Sequence, residues 1–375
     1  IIVGGPGCGV TGTGDADIFI PQLFRSSMID YHIQGDGEIS LKELLTGNEN
    51  YPGINGKQWQ YLTNEQLETI PYPDYSDYKL KQFWKENMSI TLTSSRGCVR
   101  NCTFCDYIES HTKFQWRKAE NVFEEMLLQN KKFGITKFNF ADSLINGNVK
   151  EFNNLIELIA RHNKTNPDNS FTWGAYYIFR NKSANDEWTW KTIKESGCVL
   201  LSVGIEHFSQ KVRYSLGKKF DDESIVHHLE LASKYGVKIL GLMLIGYPTE
   251  TEEDRECNLN WINTYSKFNK NLIFSLSKMQ IIPNTQVSRM SDKLGILINE
   301  NLLPSLKMKF WESSIHMNNE DLREQWLKQH VSACYSNGFK LDADLYSNLQ
   351  ARNIIEEELM GSDAVFLTHE TSLIF

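Results

Sequence analysis

The chain has 375 residues, 41% hydrophobic and 23% charged, a composition that marks a folded globular protein and excludes collagen-like, coiled-coil and disordered classes. Its formal net charge of -8, from 39 basic and 47 acidic residues, provides no cationic field, so nucleic acid is disfavoured as a partner. No apolar run approaches the roughly 18 residues of a membrane-crossing helix; the longest, Ile239 to Ile245, suits one buried strand.

Residues 1–46 read as the last third of a doubly wound domain. A strand (Ile1–Val3) and a glycine-rich turn lead to a second strand (Tyr31–Gln34), then Gly35-Asp36-Gly37-Glu38 and a helix (Ile39–Leu45). A strand at residue 1 predicts a fragment whose N-terminal part is missing, and the apolar end at Ser372-Leu373-Ile374-Phe375 suggests a second cut. The Gly4–Gly14 stretch lacks Gly-Lys-Ser/Thr and is not expected to hold a phosphate. Residues 47–88, rich in Gly, Pro, Asn and Tyr, read as a linker.

Six β-type runs follow, at Ser89–Ser94, Thr136–Ala141, Ser170–Tyr177, Val199–Gly204, Lys238–Ile245 and Ile273–Ile282. Between them lie stretches with helical apolar spacing. Asn121–Lys132 places Val122, Met126 and Leu127 together, Val149–Arg161 places Phe152, Leu155, Ile156 and Ile159 together, and Asp222–Tyr235 does the same with Ile225, Leu229 and Ala232. Gly134, Gly197 and Gly236 stand where left-handed C-caps belong, and Thr249 with Glu252 suggests a capping box. This alternation predicts an α/β fold: a partial (β/α)6 TIM-like barrel over 89–290, with parallel strands inside and helices outside. Residues 291–375 read as a mainly helical region that covers the barrel mouth against solvent.

In such folds chemistry sits just beyond the C-terminal ends of the strands. Those positions are Arg96–Cys105, Asp142, Tyr176–Tyr177, Glu206–His207, Gly246–Thr251 and Pro283–Thr285. Tyr176, Tyr177, Trp173 and His207 are candidates to line the substrate side, with Trp173 and Tyr177 assigned to the core if the strand alternates. The seven cysteines are an odd number in a long chain, which argues for a reducing compartment, the cytoplasm, rather than a disulfide framework.

Cys98, Cys102 and Cys105 cluster on one loop directly after the first barrel strand. Thiolates are soft ligands for zinc or iron–sulfur clusters. Structural zinc normally takes four protein ligands, and no fourth Cys or His follows closely; His111, six residues on, would be an atypical partner. Three cysteines suit a four-iron cluster with one iron open to a small molecule. A structural metal knuckle and three incidental thiols are the alternatives. Arg96 and Arg100 flank the cysteines, positioned to stabilise thiolates or to donate to a carboxylate.

The segment Ser95-Arg96-Gly97-Cys98-Val99-Arg100-Asn101-Cys102-Thr103-Phe104-Cys105 resembles the signature of radical S-adenosylmethionine (radical SAM) enzymes. That resemblance implies a 4Fe–4S cluster on Cys98, Cys102 and Cys105, whose open iron chelates S-adenosylmethionine. One electron then cleaves the cofactor to methionine and a 5′-deoxyadenosyl radical, which abstracts hydrogen from a substrate. It also implies a reductant such as a flavodoxin or ferredoxin. Phe104 is placed near the adenine. Val203-Gly204-Ile205-Glu206-His207-Phe208 is similar to the family's Gly-Ile-Glu-Ser segment, which makes Glu206 the carboxylate beside the cofactor, with His207 where Ser is commoner. Gly246-Tyr247-Pro248-Thr249-Glu250-Thr251 resembles the Gly-x-Pro-x-Glu-Thr segment and brings Gly246, Pro248 and Thr249 to the adenine side. Pro283-Asn284-Thr285 resembles Pro-Gly-Thr, with an Asn that tolerates the left-handed region. Asp142 matches a position near the substrate or the methionine moiety, and Arg100 joins the cofactor contacts.

Gly4-Gly5-Pro6, Gly35-Asp36-Gly37-Glu38 and Ile70-Pro71-Tyr72-Pro73-Asp74 resemble the end of the cobalamin-binding domain that precedes the barrel in one radical SAM subclass. Cobalamin is therefore a possible cofactor, and methylation or rearrangement a possible reaction, on a substrate the sequence does not name. Two alternatives stand beside this reading. A methylthiotransferase-like enzyme needs three more N-terminal cysteines, and only Cys8 precedes the barrel. A non-enzymatic metal module needs a fourth ligand and no Glu206 or Gly246–Thr251 segment.

Overall fold

The computed structural model describes residues 1–4, 28–55, 61–78, 89–107, 111, 113–299, 301–302, 304–315 and 318–342. The glycine-rich stretch beyond Gly4, Cys8, residues 79–88 of the linker and residues 343–375 of the C-terminal region lie outside the described residues.

In chain order the elements are β1 (Ile2–Val3), β2 (Tyr31–His32), α1 (Gly37–Leu45), α2 (Asn64–Thr69), β3 (Ser89–Leu92), β4 (Ser95–Arg96), β5 (Gln115–Trp116) and α3 (Ala119–Phe133). Next come β6 (Lys137–Phe140), α4 (Val149–Thr165), β7 (Thr172–Tyr177), α5 (Asp186–Glu195), β8 (Cys198–Glu206), α6 (Gln210–Ser215), α7 (Asp222–Tyr235), β9 (Ile239–Ile245), α8 (Glu252–Thr264) and β10 (Leu272–Lys278). The chain continues through α9 (Gln286–Arg289), α10 (Ser291–Leu294), β11 (Ile296–Ile298), α11 (Pro304–Lys307), β12 (Trp311–Ser313), α12 (Glu320–Ser336) and β13 (Lys340–Leu341). It divides into two compact units. One gathers Ile1–Pro71, Arg96–Trp116 and Gln280–Glu320; the other gathers Tyr72–Ser95, Arg117–Met279 and the chain from Asp321.

The second unit is built on a seven-stranded sheet, order β13-β10-β9-β8-β7-β6-β3, with every pairing parallel. Apart from β13, neighbours in space are neighbours in sequence, the signature of repeated strand–helix–strand crossovers. The six predicted strands are all present. The seventh, β13, pairs with β10 and comes from the region expected to be mainly helical. Two residues are too few to show an alternating pattern, which is why sequence reading passes over them.

Alternation decides the faces. Trp173, Ala175 and Tyr177 of β7 and Leu201, Val203 and Ile205 of β8 join the main core under the helices, as the alternation argument expects of Trp173 and Tyr177. Leu200, Leu240 and Ile273 form a separate apolar group, and Tyr176 is more than one-third exposed. Phe152, Leu155, Ile156 and Ile159 of α4 are all buried, each contributing about 1.5–3 kcal/mol by leaving water. In α3, Val122 and Met126 are buried, but Leu127 is exposed rather than sharing their face. Left-handed Gly134 and Gly236 cap α3 and α7 as expected. The capping box of α8 is Thr251 with Asp254, two residues beyond the Thr249–Glu252 pair; only there does the Thr hydroxyl meet the third helical amide.

In the first unit β1 and β2 pair in parallel, Ile2 with Tyr31 and Val3 with His32. Ile33, Leu44 and Ile54 make a small core there. Ile54 and the capped helix α2 both fall in the predicted linker, so that stretch is folded as far as it is described. Strands β11 and β12 form an antiparallel pair.

Candidate active site

In the first unit the cysteine loop starts at β4, which pairs with β5. Gly97 has φ +79°, and a Cβ there would collide with the Lys113 carbonyl oxygen, so only glycine fits. The Arg100 amide donates to Cys98 Sγ at 3.4 Å, and the Cys105 amide donates to the Cys102 carbonyl at 3.2 Å. Further along the chain the Val287 amide donates to the Thr103 carbonyl at 2.9 Å, tying the Pro283-Asn284-Thr285 segment to the loop. Asn284 adopts φ +65°, so Asn does hold the turn where the family has Gly.

Cys102 is buried, while Cys98 and Cys105 are partly exposed. Burial pushes the Cys105 thiol up to about 11, with Cys102, Asp106 and Cys98 adding to the rise and the Tyr107 amide opposing it. Without a metal Cys105 keeps its proton at neutral pH; a bound metal displaces it. Among the described residues no three His, Cys, Asp or Glu side chains are placed to hold a single ion. In a multi-iron cluster each thiolate binds a different iron, so the three thiols need not converge on one point. His111 is no fourth ligand: its Nε2 lies 3.5 Å from Asp36 Oδ1 and its ring stacks on Tyr107. The three thiols therefore fit a four-iron cluster with one iron left open.

Arg96 is committed elsewhere than the sequence suggested. Its guanidinium pairs with Asp36 and Glu38, so it is not available to thiolates or to a cofactor carboxylate. Arg100 and Phe104 are both partly buried on the loop.

In the second unit Glu206 ends β8 at a register shift against β9 and takes φ +65°. A glutamate held in the left-handed region is uncommon and is characteristic of functional turns. It is 5% exposed, and its Oε1 lies 2.9 Å from Lys218 Nζ. A Cβ on Gly204 would strike both partners, so this glycine makes room for the pair. Lys218 was missed from sequence; it sits in a loop with no periodicity to mark it.

After β9, Gly246 has φ +86° and is backed by the buried Arg323 side chain, which a Cβ would strike. Glu250 Oε2 accepts from the Gly246 amide at 2.7 Å and the Tyr247 amide at 3.0 Å, fixing the turn that carries Pro248 and Thr249. Pro248 is buried and Thr249 partly so. His207 Nε2 lies 3.2 Å from Glu250 Oε1. Its Nδ1 accepts from the Ser209 amide at 2.9 Å, and its Nε2 also lies 2.9 Å from Asn258 Nδ2. Asn258 completes the group, accepting from the Phe208 amide at 2.7 Å. His207 is wholly buried and lines no substrate surface; it braces the Gly246 turn. Glu250 lies within the Gly-x-Pro-x-Glu-Thr pattern, but spacing alone does not show its reach back to the Gly246 amide.

Asp142 is equally committed. Its Oδ1 accepts from the Ser94 and Ser95 amides at 2.8 Å each, and its Oδ2 accepts from Ser94 Oγ. Burial pushes its carboxyl up to about 6, with the Ser94 hydroxyl and the two amides pulling partly back. This geometry suits holding the chain in front of the cysteine loop better than touching a substrate.

Residues 92–262 match the family described as the Radical SAM superfamily. An uncharacterized methyltransferase of Pyrococcus horikoshii is 26% identical over 342 residues, covering 84% of this chain and 70% of the relative. A ribosomal protein uS12 methylthiotransferase of a Sulfurihydrogenibium species is 23% identical over 274 residues, covering 68% of this chain and 62% of the relative. The solved cobalamin-dependent S-adenosylmethionine radical enzyme OxsB superposes with a TM-score of 0.67 at 16% identity, over 89% of this chain and 53% of that one, which is a likeness of fold. No helix among the described residues is long and apolar enough to cross a membrane. Glycine-locked three-thiol loop, parallel sheet and family match agree: residues 92–262 match a radical SAM domain.

Proposed function

We propose that this chain reductively cleaves S-adenosylmethionine at a 4Fe–4S cluster and transfers a methyl group, in the manner of the cobalamin-dependent subclass. The observation that carries the reading is the cysteine loop: three thiols in mutual electrostatic reach, entered through a glycine that no other residue can replace. When bound, the cluster supplies one electron to the sulfonium of S-adenosylmethionine. Cys98, Cys102 and Cys105 would each hold one iron of it. Glu206, kept in place by Lys218, is the acceptor for the cofactor's cationic amino group. The turn at Gly246, Pro248 and Thr249, pinned by Glu250, offers backbone to the adenine. Asp142 acts on the chain leading into the loop and is a positioning residue in this reading.

The methyltransferase assignment draws on the Pyrococcus horikoshii relative, which covers most of this chain, and on the parallel β1–β2 pair followed by Gly35-Asp36-Gly37-Glu38. Residues 1–46 are then the end of a cobalamin-binding-like domain and 89–290 the barrel. The chain spans 70% and 62% of the two relatives' lengths, so substrate and partners belong to the whole protein. A flavodoxin- or ferredoxin-type reductant supplies the electron.

The test is anaerobic reconstitution with iron and sulfide. The parent chain should bind about four irons per chain, and its electron paramagnetic resonance should change on adding S-adenosylmethionine. Cys98→Ala, Cys102→Ala and Cys105→Ala should each lose the signal. An intact four-iron signal in any of the three would overturn the ligand assignment.

A further inference from the structure

The segment Gly35-Asp36-Gly37-Glu38 reads from sequence as part of a cobalamin-type domain, yet its two carboxylates face the chain's own cysteine loop. Asp36 is 4% exposed. Arg96, two residues before Cys98, donates from Nη1 to Asp36 Oδ1 at 2.7 Å and to Glu38 Oε2 at 3.1 Å, and from Nη2 to Glu38 Oε1. Asp36 Oδ1 also lies 3.5 Å from His111 Nε2. The His111 ring stacks on Tyr107, centroids 4.8 Å apart and planes 10° apart. Tyr107 Oη accepts from the Gly97 amide at 3.3 Å.

These contacts close a ring: Asp36, Arg96, Gly97, Tyr107, His111 and back to Asp36. Arg96 and Gly97 enter the loop, Tyr107 and His111 leave it, and all three cysteines lie between. The other Asp36 oxygen is fixed from outside the ring, accepting from the Leu62 amide at 2.7 Å. Arg96 makes a single contact with Asp36 inside the ring and a bidentate fork with Glu38 beside it, which holds the guanidinium plane against rotation. The ends of the cysteine loop are thus joined by contacts outside the thiols, which lowers the ordering needed to bring three thiols to one cluster.

We propose that Asp36, with Glu38 as its outer partner, is a positioning residue for the iron–sulfur cluster: it clamps the entry and exit of the three-cysteine loop together through Arg96 and His111. The inference rests on the reading of that loop as a cluster site. It gives the N-terminal segment a role in cluster retention that is independent of whether cobalamin binds.

The experiment uses the full chain, reconstituted anaerobically, with four variants: Asp36→Asn, Glu38→Gln, Arg96→Lys and Asp36→Asn combined with Arg96→Lys. Three quantities are read: the rate of iron loss to a chelator, the resonance spectrum of the reduced cluster, and the thermal midpoint of the metal-free chain. Outer partners of metal ligands typically change affinity about 10–100-fold, so Asp36→Asn should release iron about tenfold faster with an altered spectrum. Glu38→Gln, whose side chain is about one-third exposed, should show a smaller effect in the same direction. Arg96→Lys, a point charge without the fork, should fall between the parent and Asp36→Asn. The double variant should be no worse than the stronger of its two changes, because both break one ring.

Unchanged iron release and spectrum in Asp36→Asn and Glu38→Gln would overturn the clamp. So would iron loss that merely tracks a lowered thermal midpoint. If Asp36→Asn does not fold, Glu38→Gln and Arg96→Lys decide the matter alone. A parent chain that assembles no four-iron cluster would instead overturn the family-level function and the clamp with it.

Discussion

Replacing Asp142 by Asn should change how stability depends on pH. Asp142 is buried, and burial pushes its carboxyl from the ordinary 3.8 up to about 6 despite the Ser94 hydroxyl and the Ser94 and Ser95 amides. The folded state therefore holds this proton more tightly than the unfolded state. The resulting stability is complete below about pH 4 and is lost as pH rises through about 6. The gap between 3.8 and about 6 corresponds to about 3 kcal/mol over that window. Asparagine has no proton to lose. Its Oδ1 still accepts both amides, and its Nδ2 can donate to a rotated Ser94 hydroxyl. Relative to the parent, Asp142→Asn should thus be less favourable near pH 4 and gain up to about 3 kcal/mol by pH 7. Urea unfolding of both metal-free proteins across that range measures the difference. Parallel pH curves would refute the reasoning.

Three other perturbations test the local geometry. Gly97→Ala forces a side chain into the left-handed region, at about 1–2 kcal/mol, and into the Lys113 carbonyl; cluster assembly measured by iron content should fall sharply. Glu206→Gln should weaken S-adenosylmethionine binding about tenfold or more in equilibrium dialysis while iron content stays at the parent's level. Equal affinity would leave Glu206 as nothing more than the partner of Lys218. Asn284→Gly should keep or raise the thermal midpoint, since glycine accepts φ +65° freely, whereas Asn284→Val should lose about 1–2 kcal/mol; the reverse ranking would contradict the turn.

Much of the scaffold was readable because it rests on local periodicity. Helix α7 runs over the residues its apolar spacing indicates, and the six long strands fall where β-type runs lie between helical stretches. The cysteine loop was readable because three soft ligands at tight spacing have few structural uses. What stayed hidden depends on contacts distant in sequence. Arg96 reads as a free cation until Asp36, sixty residues earlier, is found beside it. His207 reads as a departure from a motif until Glu250 is found next to it, where the buried imidazole braces the Gly246 turn. Periodicity tells which face of an element is buried, and spacing tells which ligands share a loop; neither tells which opposite charge a buried group will meet. The short strand β13 was missed for a different reason, since its place is set by the open edge of β10 rather than by its own two residues.

The most direct test of the central claim is the formation of 5′-deoxyadenosine. The parent chain, reconstituted anaerobically and given a strong reductant and S-adenosylmethionine, should release it in amounts measurable by mass spectrometry, and Cys102→Ala treated identically should release none. Equal release from both proteins, or none from a parent chain shown to carry a complete four-iron cluster that binds S-adenosylmethionine, would contradict the account.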